Sequence, residues 1–248
     1  EYGINAHHVY SWAQPTWISY HYIKEGLKTQ SPKVIVLEMF GMTYGHSYIM
    51  PESIDETNYE NSFSIDPGPN QFAMTQTVKD CGLDLRDPSD FWNLRRYHSR
   101  WKYLDEKSFT YDAHQQYGYL KGYTFMTQVY DSTALLPEFV GANESMVPYE
   151  KALEYLDKIV AHWEEKGIDL KFTLTHDEYD EAEVKIYNYL AEYATERNIP
   201  FLNYNTAHKA EAGVDFTNDL SDNGHTNYWG AEKITRHLGE YLAQNYQF

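Results

Sequence analysis

Ser31-Pro32-Lys33-Val34-Ile35-Val36-Leu37-Glu38 decides the fold. Pro32 forbids a helix from running through it, and the β-branched run Val34-Ile35-Val36-Leu37 that follows reads as a strand covered on both faces, as in a parallel sheet. Upstream, Ile18, Tyr22, Ile23 and Leu27 recur at helical spacing from about Thr16, with Pro15 suited to the first turn. Farther back, residues 3–10 read as a short strand. Strand, helix and strand over residues 3–38 make a βαβ unit with a right-handed crossover.

The same alternation returns downstream. Ala152, Leu153, Leu156, Ile159, Val160 and Trp163 mark a long helix that Gly167 closes. Residues 170–175 alternate as a strand, 182–197 form a helix with Val184, Ile186, Tyr187, Leu190 and Ala194 inward, and 200–204 form another strand. Ala231, Ile234, Leu238, Tyr241 and Leu242 give the last helix one apolar stripe. The chain is therefore expected to be a single α/β domain over residues 1–248, three-layered with a mostly parallel sheet. Residues 41–146 interrupt the pattern. They are rich in Tyr, Asn, Asp and Gly, with helix signals only near 75–80 and 89–104, and are expected to form an inserted aromatic-rich cap or subdomain.

Composition excludes several functions. With 20 Lys plus Arg against 37 Asp plus Glu, the net charge of −17 repels phosphate backbones and anionic lipid, so nucleic acid is not an expected partner. No apolar run reaches the roughly 20 residues of a membrane span. Glu1-Tyr2-Gly3-Ile4 reads as sequence from inside a domain, so an export signal or anchor would precede it, and only such an anchor would bring membrane contact. The single cysteine, Cys81, makes no internal disulfide. His7-His8 and His176-Asp177-Glu178 lack metal-ligand spacing, and no glycine loop of the phosphate-binding kind is present, so neither metal nor cofactor is expected.

Chemistry concentrates before the last helix, in Asp222-Asn223-Gly224-His225-Thr226-Asn227. A histidine that titrates near neutrality takes a proton from a hydroxyl, and a carboxylate three residues away fixes its tautomer and stabilises the imidazolium. The same pattern also serves as a capping group beside a solvated side chain. Arg95-Arg96-Tyr97-His98-Ser99-Arg100-Trp101-Lys102 is the densest cationic and aromatic cluster. Its Tyr97, His98 and Trp101 suit an anionic or sugar substrate, or simply an amphipathic helix paired with nearby acids.

The longer string D-x-x-H-x-N-x-x-G-A-x-K-x-T, from Asp222 to Thr235, resembles the C-terminal block of SGNH/GDSL-type hydrolases, in particular the bacterial cell-envelope branch of polysaccharide O-acetyltransferases and D-alanyl-transfer proteins. The resemblance implies a flavodoxin-like fold, an extracytoplasmic bacterial location and a serine esterase or acyltransferase acting on carbohydrate acyl esters, with Asp222 and His225 as the acid-base members of a triad. Ser11–Gln14 falls on the block that forms an oxyanion hole, where Trp12 and Ala13 depart from the small residues or glycine usual there and Gln14 is the better candidate for a polar donor. Glu38-Met39-Phe40-Gly41 stands where that family commonly carries an Asn. The family's nucleophilic serine follows a strand that lies between those corresponding to residues 3–9 and 33–38. That serine is expected outside this stretch, since Ser11 falls on the second block. A non-catalytic carbohydrate-binding or assembly protein with the same fold is the alternative.

Overall fold

The computed structural model describes residues 2–11, 13–45, 65–80, 100–105, 125–130, 143–176 and 180–247. Three parallel strands form the sheet: β1 (Val34–Glu38), β2 (Asp169–Leu174) and β3 (Phe201–Asn203), with β2 in the middle. Val34 pairs with Asp169 and Leu37 with Phe172, while Phe201 meets Phe172 on the other side. Around it run α1 (Thr16–Gly26), α2 (Pro69–Asp80), α3 (Glu150–Lys166), α4 (Glu181–Glu196), the short α5 (Lys209–Ala212) and α6 (Tyr228–Asn245).

The pleat sorts the sheet's side chains to two cores, because successive residues of a strand face opposite ways. Leu37, Leu170, Phe172 and Leu174 join Trp17 and Ile18 of α1, Met74 and Val78 of α2, Leu156 and Trp163 of α3, and Ile186 and Leu190 of α4. Leu202, which pairs with Thr173, belongs to a second cluster with Tyr204, Val214, Phe216, Leu220 and Ile234 of α6. Lys171 lies one residue over from the first core, and its ammonium sits 5.4 Å from the ring of Tyr246 just past α6. Helices thus pack on both faces of a parallel sheet, and the fold is α/β.

Local signals explain the helix ends. Gly167 adopts φ 65° at the end of α3, the left-handed conformation glycine enters without a Cβ penalty. Asp180 and Glu183 form a capping box on α4: the Glu183 N–H donates to the Asp180 carboxylate at 2.8 Å, and the Asp180 N–H donates to Glu183 at 2.9 Å.

Two expectations change. Residues 3–10 form no strand: Gly3 has φ 69°, residues 6–10 are exposed, and Val9 and Tyr10 bury no apolar face. A sheet strand covers at least one face, and the exposed residues 6–10 cover none. Within 41–146, the helix signal near 75–80 extends back to Pro69, and α2 packs its Met74 and Val78 into the main core. Of residues 89–104, the described part is a 3₁₀ turn at Arg100–Tyr103.

Candidate functional site

Loops from the three strand ends meet at the carboxyl edge of the sheet, where parallel α/β folds gather ligands. The Thr175 N–H donates to the Glu38 carboxylate at 3.2 and 3.3 Å, and the Thr173 hydroxyl donates to it at 3.2 Å, which ties the end of β1 to that of β2. As a residue Glu38 is exposed, yet its carboxylate oxygens turn inward onto β2. Desolvation of that head pushes its pKa up to about 7 against the pull of the donors. The 3₁₀ turn Phe40–Met42 follows β1, and a Cβ on Gly41 would lie 2.6 Å from the Gln14 carbonyl oxygen. Glycine here lets the Ala13–Gln14 loop sit against the end of β1.

His176, just past β2, is buried with its ring against Phe216 at 4.3 Å. The Asn205 amide donates to the Thr175 carbonyl at 3.0 Å, so its oxygen faces the His176 Nδ1, which donates to it at 3.0 Å. Burial holds the His176 pKa below the usual histidine value, opposed by the Asn205 oxygen, the neighbouring Asn223 carbonyl and the Asp222 carboxylate. The Asp222–His225 turn therefore lies over the end of β2.

In that turn the His225 Nδ1–H donates to Asp222 Oδ1 at 2.8 Å, and the Gly224 N–H donates to the same oxygen at 2.9 Å. Partial burial raises the Asp222 pKa, but these donors outweigh it and hold the carboxyl below its ordinary range. Both side chains are more than half exposed, at 53% for Asp222 and 64% for His225. With Nδ1 given to Asp222, Nε2 is the ring atom left for chemistry, and it bonds to nothing among the described residues. The pair can accept a proton from a hydroxyl brought to its open face.

The turn is closed by an antiparallel bridge between Leu220 and Thr226, and the Ser221 N–H donates to the His225 carbonyl at 2.9 Å. Residues 125–130 run alongside: the Tyr130 N–H donates to the Leu220 carbonyl at 2.8 Å, and the Tyr228 N–H to the Met126 carbonyl at 2.7 Å. Asn227, fully buried, caps α6 by accepting from the N–H groups of Trp229 and Gly230, each at 3.1 Å. A Cβ on Gly230 would come within 2.3 Å of the Asp219 carbonyl oxygen, and Lys233 pairs with buried Asp219 at 2.6 Å. The Asn, Gly and Lys of the motif all serve this junction.

Among the described residues, no hydrogen bond or ring contact joins Ala13, Gln14 or Trp101 to the pair. Ala13 adopts φ 45°, a strained left-handed conformation for a residue with a Cβ. Gln14 spends its amide locally, accepting from the Ser11 N–H at 2.7 Å and donating to the Ser19 hydroxyl at 2.8 Å. Trp101 is 68% exposed, and its described ring contact is with the Lys102 ammonium at 5.9 Å. Tyr97 and His98 lie outside the described residues. Among the described residues of 41–146, the stretch 125–130 bonds to the segments on either side of the pair, and it carries no periodic signal. Asn227 was legible as the Asn of the motif without its role, and His176 only as a residue at a strand end.

Among the described residues, no group of three or more His, Cys, Asp or Glu is placed to hold a metal, and no helix is long and apolar enough to cross a membrane. The chain matches no protein-family model, no curated protein and no solved structure.

Proposed function

We propose that this protein is an SGNH-like serine esterase or O-acyltransferase of the bacterial cell envelope, acting on acetyl-type esters of a polysaccharide. The observation that carries this reading is the 2.8 Å contact between Asp222 and the His225 Nδ1, on a His225 side chain that is 64% exposed at the carboxyl edge of a parallel sheet. The nucleophile in this proposal is a serine outside residues 1–248. As its oxygen attacks the acyl carbonyl, His225 Nε2 takes the hydroxyl proton, and Asp222 stabilises the imidazolium. The ester C–O bond then breaks, and the imidazolium returns the proton to the departing sugar oxygen. Water or an acceptor hydroxyl removes the acyl group by the same steps in reverse.

A second reading, a carbohydrate-binding or assembly protein without catalysis, draws on the exposed rings beside the turn. Phe125, Tyr228 and Trp229 are 43%, 36% and 45% exposed, and the first two stand 4.9 Å apart. Such rings stack on the faces of sugars. Hydrolysis of a generic acetyl ester by the full-length chain separates the readings. The enzyme reading expects turnover that His225→Ala lowers by about 1,000-fold, within the range seen when general bases and their partners are removed. Equal signal from both proteins favours the binder.

A further inference from the structure

The Asp222–His225 turn belongs to no helix or strand, so the groups that fix it must come from neighbouring segments. Asn227 supplies both ends of such a fixture. Its side-chain oxygen caps α6 through the Trp229 and Gly230 N–H groups. Its side-chain nitrogen faces three carbonyl oxygens, those of Asn218 at 2.7 Å, Gln128 at 3.1 Å and Leu220 at 3.2 Å. Two hydrogens are shared among three acceptors in a buried site, where an acceptor that loses its donor also loses access to water.

Capping accounts for only the oxygen, since Ser, Thr or Asp caps a helix equally well. The nitrogen does something else. Asn218 and Leu220 lead into the turn, Leu220 also forms its closing bridge with Thr226, and Gln128 belongs to the strap 125–130. One amide therefore gathers the entry of the turn and the strap at the residue two places after His225.

We infer that Asn227 is a positioning residue whose side-chain nitrogen holds the turn to the 125–130 strap and so sets where the His225 imidazole stands against Asp222. The inference rests on the role proposed for His225, and it links that role to the segment at 125–130. Removing the donor while keeping the cap isolates it. Asn227→Asp is isosteric, retains the capping oxygen at a helix N-terminus that favours negative charge, and sets an acceptor against three carbonyls. Asn227→Ser keeps a cap and supplies no donor that reaches them.

Both variants, made in the full-length chain, are compared with wild type by far-ultraviolet circular dichroism, ester turnover and NMR of the His225 ring. The expected result is an unchanged helical signal, a fall of about 100-fold in kcat with KM moving less than about threefold, and a shifted His225 Nδ1 proton resonance and titration curve, because a displacement of about 1 Å costs that much in rate. A His225 resonance and titration identical to wild type overturns the inference. So does loss of the fold in both variants, for a purely structural role then suffices. If His225→Ala leaves turnover intact, the proposed function falls, and the His225 resonance alone still decides the positioning role.

Discussion

His21 shows how one buried side chain ties the fold to pH. Its Nδ1 donates to the Asn70 side-chain oxygen at 3.0 Å, an orientation fixed because the Asn70 nitrogen is given to the His21 carbonyl and to Glu25. Nε2, 2.8 Å from the Thr77 hydroxyl, is then the acceptor of the neutral ring. Desolvation, the largest cause, lowers the pKa to about 4, with Lys24 and Lys158 in the same direction and Asn70 opposed. A folded pKa below the unfolded one gives stability that is full above pH 6.5 and lost as pH falls toward 4. The loss amounts to about 3 kcal/mol, since each tenfold change in proton affinity is worth about 1.4 kcal/mol. Glu38 works the other way. Its raised pKa means stability that is full below about 4.5 and lost as pH rises through about 7. Urea unfolding of wild type and His21→Gln at about pH 7 and pH 4.5 checks the first claim. The gap between the two proteins should shift toward the variant on acidification, and a gap independent of pH would contradict it.

At the scale of elements, α6 and the loop before it form one unit joined through Asp219. That carboxylate is 2% exposed and accepts from the Lys233 ammonium and the Asp215 N–H, both at 2.6 Å. Lys233→Met removes the cation and leaves a buried carboxylate with one backbone donor. The expected cost is about 3 kcal/mol, and Asp219→Asn in the same background should restore part of it. Thermal unfolding of the single and double variants measures this, and a Lys233→Met protein as stable as wild type would refute it. The apolar stripe of α6 was legible from its spacing, and so were α3, α4 and the three strands, because each repeats a period over several turns or residues. Residues 3–10 misled because a short stretch holding Ile4, Val9 and Tyr10 ahead of a loop reads as a strand while nothing in the sequence says whether a neighbour pairs with it. Residues 125–130 were silent for the opposite reason: their hydrogen bonds to Leu220 and Tyr228 use backbone groups, which every sequence possesses.

Over the whole molecule, the three-stranded sheet brings Glu38, His176 and Asn205 to one edge, and the turn before α6 lays Asp222 and His225 across it. The pair itself could be read from the sequence, since a separation of three residues in a turn allows a direct contact whatever the rest of the fold does. The supports could not, because Asn227 and His176 act through partners far away in the chain: Gln128 lies 99 positions from Asn227, and Asn205 lies 29 from His176. The central claim is that Asp222 and His225 act as one proton-transferring unit. A double-variant cycle on ester turnover, with Asp222→Asn, His225→Ala and the two combined in the full-length chain, tests it most directly. Groups that act as a unit give strongly non-additive losses. The double variant should therefore be no slower than His225→Ala alone, whereas losses that multiply, or turnover untouched by either substitution, would contradict the claim.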